Sequence, residues 1–313
     1  MTVIAVENLT KTYRDGTQAV KGITFDVAKG EIFGLLGPNG AGKTTTMKIL
    51  GTLHSHTSGY AGVLGFDVKT QAKEIRSRIG FAMQEVGMDE LATAEEMLLF
   101  HASLARIPKQ EAKRRAAELL RTFDLAEHAK RRVTRFSGGM QRRLDLAVSL
   151  IHTPQVLFLD EPSTGLDPKS RSDLWAILRR LRRDEGLTIV LSTHYMEEAD
   201  ELCDRIAIVA NGELVAIDTP ERLKRSVGRD TINVEVQNLT PDQSQRLRSS
   251  FKSALQVDGN HLRISARDGA ANLMPALKRV DAAGCTVTST SVKTPTLDDA
   301  FLKYTGQRLT EEA

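Results

Sequence analysis

Gly37-Pro38-Asn39-Gly40-Ala41-Gly42-Lys43-Thr44 matches the pattern G-x-x-x-x-G-K-[ST] in full, and each residue type in it has a physical task. Glycines let successive backbone N–H groups turn inward as a nest for phosphate oxygens, and a helix beginning near Lys43 adds the positive end of its dipole. Lys43 supplies a mobile cation for terminal phosphates. Thr44 offers a hydroxyl to Mg²⁺, a hard ion that prefers oxygen ligands and arrives with a nucleotide. Further along, Val156-Leu157-Phe158-Leu159-Asp160-Glu161 ends an apolar strand with two adjacent carboxylates, at the sheet edge where α/β folds bind ligands. Successive strand residues point to opposite faces, so the two acids are expected to divide the work. Asp160 is assigned to Mg²⁺ through water, and Glu161 to polarising the attacking water as general base.

Particular elements must position these residues. The run Glu31 to Leu36 reads as a strand buried on both faces just before the glycine-rich turn, and Thr44 to Leu50 as the helix after it. Ahead of them, Val3 to Val6 and Ile23, Phe25 and Val27 alternate with polar residues around Asp15-Gly16, which predicts an antiparallel layer. From about residue 88 to 150 the spacing turns helical, with Met97, Leu98 and Phe100 in one segment and Ala116, Leu119, Leu120 and Phe123 in another. This predicts a helical insertion. Parallel α/β character resumes at Val156, continues through an amphipathic helix carrying Leu174, Ile177, Leu178 and Leu181, and reaches the strand Leu187 to Leu191. Ile206 to Ile217 then reads as a hairpin about Asn211-Gly212. A polar, basic stretch from Glu221 to Asp230 precedes a second alternation starting at Thr231, so the boundary is placed near Arg229, dividing 1–229 from 230–313. The tail is expected to run strand, helix around Gln243 to Leu255, strand Leu262 to Ser265, helix Leu273 to Ala282, strand Thr286 to Val292. The fold class expected is α/β: a P-loop (RecA-like) core with an antiparallel β subdomain and helical insertion, plus a small C-terminal α+β domain.

Phe136-Ser137-Gly138-Gly139-Met140-Gln141-Arg142-Arg143 resembles the LSGGQ sequence of ABC ATPases, with Met140 where that family has Gln and Phe136 where it has Leu. The resemblance implies that Ser137, Gly138 and Gly139 open a helix that reaches the γ-phosphate of ATP held by an opposite subunit. It implies that Gly37 to Thr44, together with Thr45, bind ATP, and that Tyr13 stacks on adenine. Gln84 matches the family glutamine that reaches Mg²⁺ and the water. Ser163-Thr164-Gly165-Leu166-Asp167 matches the loop that crosses the dimer interface through Asp167, and His194 the histidine that contacts the γ-phosphate and holds Glu161 in place. At the tail, Pro295 to Gly306 is similar to the C-terminal element of the daunorubicin-resistance type of ABC ATPase subunit, and Arg142 to Ala147 also suits that group. The resemblance as a whole implies an ATP hydrolase using Mg²⁺ with ATP, acting as an ATP-sandwiched homodimer. Its other partner would be a separate multi-spanning permease that exports amphipathic or drug-like cargo. The expected place is the cytoplasmic face of the membrane, as a peripheral subunit, and the tail is expected to serve as an accessory dimerisation domain.

Composition narrows the alternatives. Lys and Arg number 43 against 40 Asp and Glu, a formal charge of +3, too small a field to steer the chain to nucleic acid, and no nucleic-acid partner is expected. A spanning helix needs about 20 mostly apolar residues, and the longest uncharged stretch, Ile49 to Phe66, is broken by glycines and by His54 and His56. No secretory signal is visible at the start. Cys203 and Cys285 are read as free thiols, and His54 and His56 as loop residues. The alternative is a soluble ABC ATPase switching on a ribosome or DNA. Such proteins usually carry paired cassettes, a long coiled coil or zinc-binding cysteine pairs, and this chain has none of these.

Overall fold

A computed structural model describes residues 1–84, 87, 89 and 91–306. The chain forms two compact units, Met1–Pro220 and one beginning at Glu221.

In the first unit, strands β1 (Thr2–Thr12) and β2 (Gln18–Ala28) pair antiparallel across the expected Asp15-Gly16 turn. They form a sheet in the order β2-β1-β4-β5 with β4 (Ser58–Val63) and β5 (Phe66–Asp67). The second sheet takes β3 (Ile32–Leu36), β6 (Ile79–Ala82), β7 (Val156–Asp160), β8 (Thr188–Thr193), β9 (Arg205–Ala210) and β10 (Glu213–Asp218) in the order β10-β9-β3-β8-β7-β6. All neighbours in it are parallel except β9 and β10, which make the Asn211-Gly212 hairpin. Every residue of β3, β7 and β8 is buried, which explains why these strands read as continuous apolar runs rather than alternations.

Helix α1 (Lys43–Leu50) follows β3, and α2 (Ala72–Arg76) precedes β6. The crossover between the adjacent parallel strands β6 and β7 carries α3 (Ala94–Leu104), α4 (Lys109–Thr122) and α5 (Gly138–Ser149). A Thr93–Arg132 bridge ties the base of this helical segment, and a Thr93–Glu96 capping box starts α3. Helix α6 (Pro168–Glu185) turns Leu174, Ile177, Leu178 and Leu181 inward as their spacing predicts, and α7 (Met196–Leu202) follows β8.

The structure divides the chain after Pro220, ahead of the boundary expected near Arg229. Helix α8 (Pro220–Val227) has the polar composition of a linker, but the final helix bonds to it: Tyr304 Oη donates to Ser226 Oγ at 2.9 Å, and the Lys303 amine to the Ser226 carbonyl. The second unit's sheet has the order β12-β13-β11-β14, built from β11 (Asp230–Val236), β12 (Leu255–Asp258), β13 (His261–Ala266) and β14 (Val287–Lys293), all antiparallel. Helices α9 (Pro241–Phe251) and α10 (Gly269–Ala282) cover it, and α11 (Leu297–Thr305) ends the unit. The helix expected to reach Leu255 stops at Phe251, because Leu255 to Asp258 pair with β13.

Candidate functional site

Four parallel strands bring their carboxyl ends together. Leu36 of β3 is level with Thr193 of β8, Ser192 with Asp160 of β7, and Leu159 with Ala82 of β6. The residues after these strands, Gly37, His194, Glu161 and the pair Met83-Gln84, therefore emerge side by side at one sheet edge, where open α/β sheets place their ligands.

The loop after β3 has the shape its composition demands. Gly40 and Gly42 have φ of +77° and +100°, in the left-handed region that glycine enters without a Cβ penalty. A Cβ at Gly42 would lie 2.3 Å from the Ala19 carbonyl, and one at Gly37 2.1 Å from that of Val209. Helix α1 starts at Lys43, whose amine donates to the carbonyls of Gly37 at 2.7 Å and Pro38 at 3.0 Å and lies 3.6 Å from Glu161 Oε1. Burial lowers the Lys43 amine below its ordinary value against the pull of Glu161 and Asp160. A cavity of about 440 Å³ opens over the loop, lined by Asn39 to Thr45, Thr17, Ala19, Gln84 and Glu161. Tyr13 reaches the same helix start, its phenol 3.2 Å from Thr45 Oγ1.

Asp160 Oδ1 accepts from Thr44 Oγ1 at 2.9 Å and from Ser192 Oγ at 2.5 Å. The two oxygens expected to serve a magnesium ion thus lie in direct contact. Hydroxyl, carboxylate and amide oxygen form a hard donor set suited to Mg²⁺, which takes one or two protein oxygens beside substrate phosphates. Among the described residues no group of three or more His, Cys, Asp or Glu could hold a metal ion.

Glu161 diverges from Asp160 for a reason other than strand alternation. The strand ends at Asp160, and Glu161 has φ +49°, uncommon for a residue with a side chain. Its N–H donates to the Ser192 carbonyl at 3.1 Å. One carboxylate oxygen accepts from Thr164 Oγ1 at 3.2 Å, and the other faces His194 Nδ1 at 3.3 Å, where the alignment does not make a hydrogen bond. Thr164 lies in the loop already singled out, but its bond to Glu161 was not expected, and Ser192 is a support that no motif reveals. The signal available for Ser192 is a hydroxyl near the end of an otherwise apolar strand.

Ser137, Gly138, Gly139 and Asp167 are not brought to this cavity. Ser137 caps α5 by accepting from Met140 N–H, and Asp167 caps α6 by accepting from Ser170 N–H at 3.0 Å and Ser170 Oγ at 2.6 Å. Those Ser170 bonds hold the Asp167 carboxyl below its usual range. Ser137, Gly138 and Asp167 are exposed. Gly139 is pressed against Ser170, whose Oγ would lie 2.7 Å from an added Cβ. His54 and His56 lie in a loop, as expected.

A phosphate-binding loop at the edge of a parallel sheet, with an antiparallel layer and helical insertion beside it, defines a nucleotide-hydrolysing cassette, and similarity to known proteins identifies its kind. The ABC transporter family matches residues 20–164, and the C-terminal domain of the DrrA1-3-like ATP-binding proteins matches residues 219–305. The daunorubicin resistance ATP-binding protein DrrA2 of Streptomyces coeruleorubidus is 40% identical, over 97% of this chain and 95% of its own. The Nod factor export ATP-binding protein I of Rhizobium meliloti is 38% identical, over 98% and 89%. Among solved structures, a dimeric ATP-binding cassette in a post-hydrolysis state bound to ADP and Pi superposes with TM-score 0.63 at 28% identity, covering 69% of this chain and 98% of that one. The chain belongs to the ABC transporter ATP-binding family, in its daunorubicin-resistance group, and it is an ATP hydrolase. No helix among the described residues is long and apolar enough to cross a membrane.

Proposed function

We propose that this chain powers export of a small amphipathic or drug-like molecule through a separate multi-spanning permease, working as a homodimer at the cytoplasmic face of the membrane. The observation that carries this reading is a division within one chain. Lys43, Thr44, Asp160, Glu161 and His194 converge on one sheet edge, while Ser137 to Gly139 and Asp167 do not line the cavity over the phosphate loop, and Ser137, Gly138 and Asp167 are exposed. A head-to-tail pair brings the two sets together across each ATP. In it, Gly37 to Thr45 cradle the phosphates and Tyr13 stacks on adenine. Thr44, Asp160 and Gln84 hold Mg²⁺, which when bound neutralises charge developing on the phosphates. Glu161 accepts the proton of the attacking water, and His194 orients Glu161 and contacts the γ-phosphate. Ser137 Oγ and the N–H groups opening α5 complete the site from the second subunit.

The γ-phosphate makes the contacts across the dimer, so hydrolysis releases the halves and converts phosphate chemistry into motion. Export and permease docking are supported by the names of the relatives, one of resistance and one of Nod factor export. They are also supported by large apolar side chains left exposed in the helical segment, Leu91, Phe100 and Leu104. Glu161→Gln is the test. The variant is expected to bind ATP, to accumulate as an ATP-dependent dimer in size-exclusion chromatography, and to lose turnover by about 10²–10³-fold. Turnover near the wild-type rate would remove Glu161 from the mechanism.

A further inference from the structure

Arg142 is a buried guanidinium, 4% exposed, to which the hydrolytic reading gives no task. It sits in the first turns of α5, yet its donors leave the helix for two other segments. Nη2 donates to the Asp160 carbonyl at 3.0 Å, Nε to the Pro162 carbonyl at 3.0 Å, and Nη1 to the Met83 carbonyl at 2.5 Å. Asp145 Oδ2, 3.2 Å from Nη1, is its counter-ion.

The Asp160 and Pro162 carbonyls stand on either side of Glu161, so one rigid fork fixes the backbone before and after the general base. That backbone needs fixing, because φ +49° is a conformation a residue with a side chain keeps only when its surroundings impose it. The Met83 carbonyl belongs to the peptide that also contains the Gln84 nitrogen. We infer that Arg142 is a positioning residue for ATP hydrolysis, holding the Glu161 turn and the Met83-Gln84 peptide in one geometry so that carboxylate and amide converge on the attacking water. The inference rests on the reading of Glu161 as general base. A lysine cannot replace it, since a single ammonium lacks the planar spread of donors that reaches carbonyls on two segments.

The experiment measures ATP turnover and ATP binding for full-length Arg142→Lys, Glu161→Gln and the double variant. Arg142→Lys is expected to lower kcat by about 10–100-fold with KM for ATP within about twofold, the pattern of misplaced catalytic groups rather than lost binding. In single-turnover measurements the double variant is expected to lose clearly less than the product of the two single losses, because Arg142 acts in part through Glu161 and residues acting through one group are not additive. Three results overturn the inference: kcat within about threefold of wild type, KM rising in step with the fall in kcat, or losses that multiply in the double variant. Glu161→Gln turning over at the wild-type rate would overturn the general-base reading itself, whereas normal Arg142→Lys beside inactive Glu161→Gln overturns only the role of Arg142. Should Arg142→Lys not fold, Arg142→Gln, which keeps a planar donor, is judged by the same criteria. Failure of both to fold would assign Arg142 to the core alone and also overturn the inference.

Discussion

Asp145 shows how burial around the site becomes a pH dependence. Burial raises its carboxyl from 3.8 to about 6, with the Arg142 guanidinium opposing the rise. Between about pH 4 and pH 6 the folded chain therefore keeps a proton that the unfolded chain has released. The stabilising contribution is complete below about pH 4 and is lost as pH rises through about 6. Asp145→Asn stays neutral throughout, so its Tm relative to wild type is expected to climb across that window and level off above it, whatever constant offset the exchange of carboxyl for amide adds. Thermal unfolding at a series of pH values checks this, and a difference independent of pH would return Asp145 to an ordinary carboxylate. At this scale Gly37 to Thr44 were legible because phosphate binding demands those types in that order. Arg142 and Ser192 were not legible as supports of Glu161, because their contacts depend on how distant segments meet, and Thr164 was not because its bond depends on the local turn after Glu161.

Helices α6 and α7 are joined through one buried carboxyl. Glu198 of α7 accepts from Ser163 Oγ and, at 3.2 Å, from Trp175 Nε1 of α6, which also reaches Ser163 Oγ at 3.0 Å. Burial raises the Glu198 carboxyl, with Ser163, Thr193 and Trp175 opposing the rise. Ser163 opens the loop that ends in Asp167, and Thr193 precedes His194, so the element pair holds both functional segments. Trp175→Phe keeps an aromatic ring but removes the N–H, and is expected to cost about 1–3 kcal/mol. For a unit of this size that is a fall of roughly 2–4 °C in Tm per kcal/mol. Calorimetry that finds no fall would mean the tie adds no stability. Strands β3, β7 and β8 were legible from their apolar runs, whereas the short β6 was not read as a strand, and β12 escaped although the two-residue turn Gly259-Asn260 precedes β13. Only two of its residues, Leu255 and Val257, are apolar, too few to establish a period.

Two separate cores set the behaviour of the whole chain. Phe33, Leu35, Met47 and Phe158 belong to the first, and Ile232, Val234, Leu247, Leu262, Ile264 and Val280 to the second. A domain with its own core can fold alone, provided the cut falls where the structure divides and not within a helix's contacts. A break after Arg229 would strip Ser226 from Tyr304, whereas one after Pro220 leaves that bond inside the second fragment. Fragments 1–220 and 221–306 are each expected to unfold cooperatively, and 1–220 to bind and hydrolyse ATP, since every residue lining the nucleotide cavity lies within it. The role proposed for the C-terminal unit as a dimerisation surface adds a stricter expectation. Linking two binding surfaces raises the effective concentration of each for its partner, so 1–220 carrying Glu161→Gln should dimerise with ATP at a higher protein concentration than the full-length variant does. Fragment 221–306 should also self-associate in analytical ultracentrifugation without nucleotide. A monomeric 221–306, together with ATP-dependent dimerisation of 1–220 at the full-length concentration, would remove that role and leave the tail to a different partner.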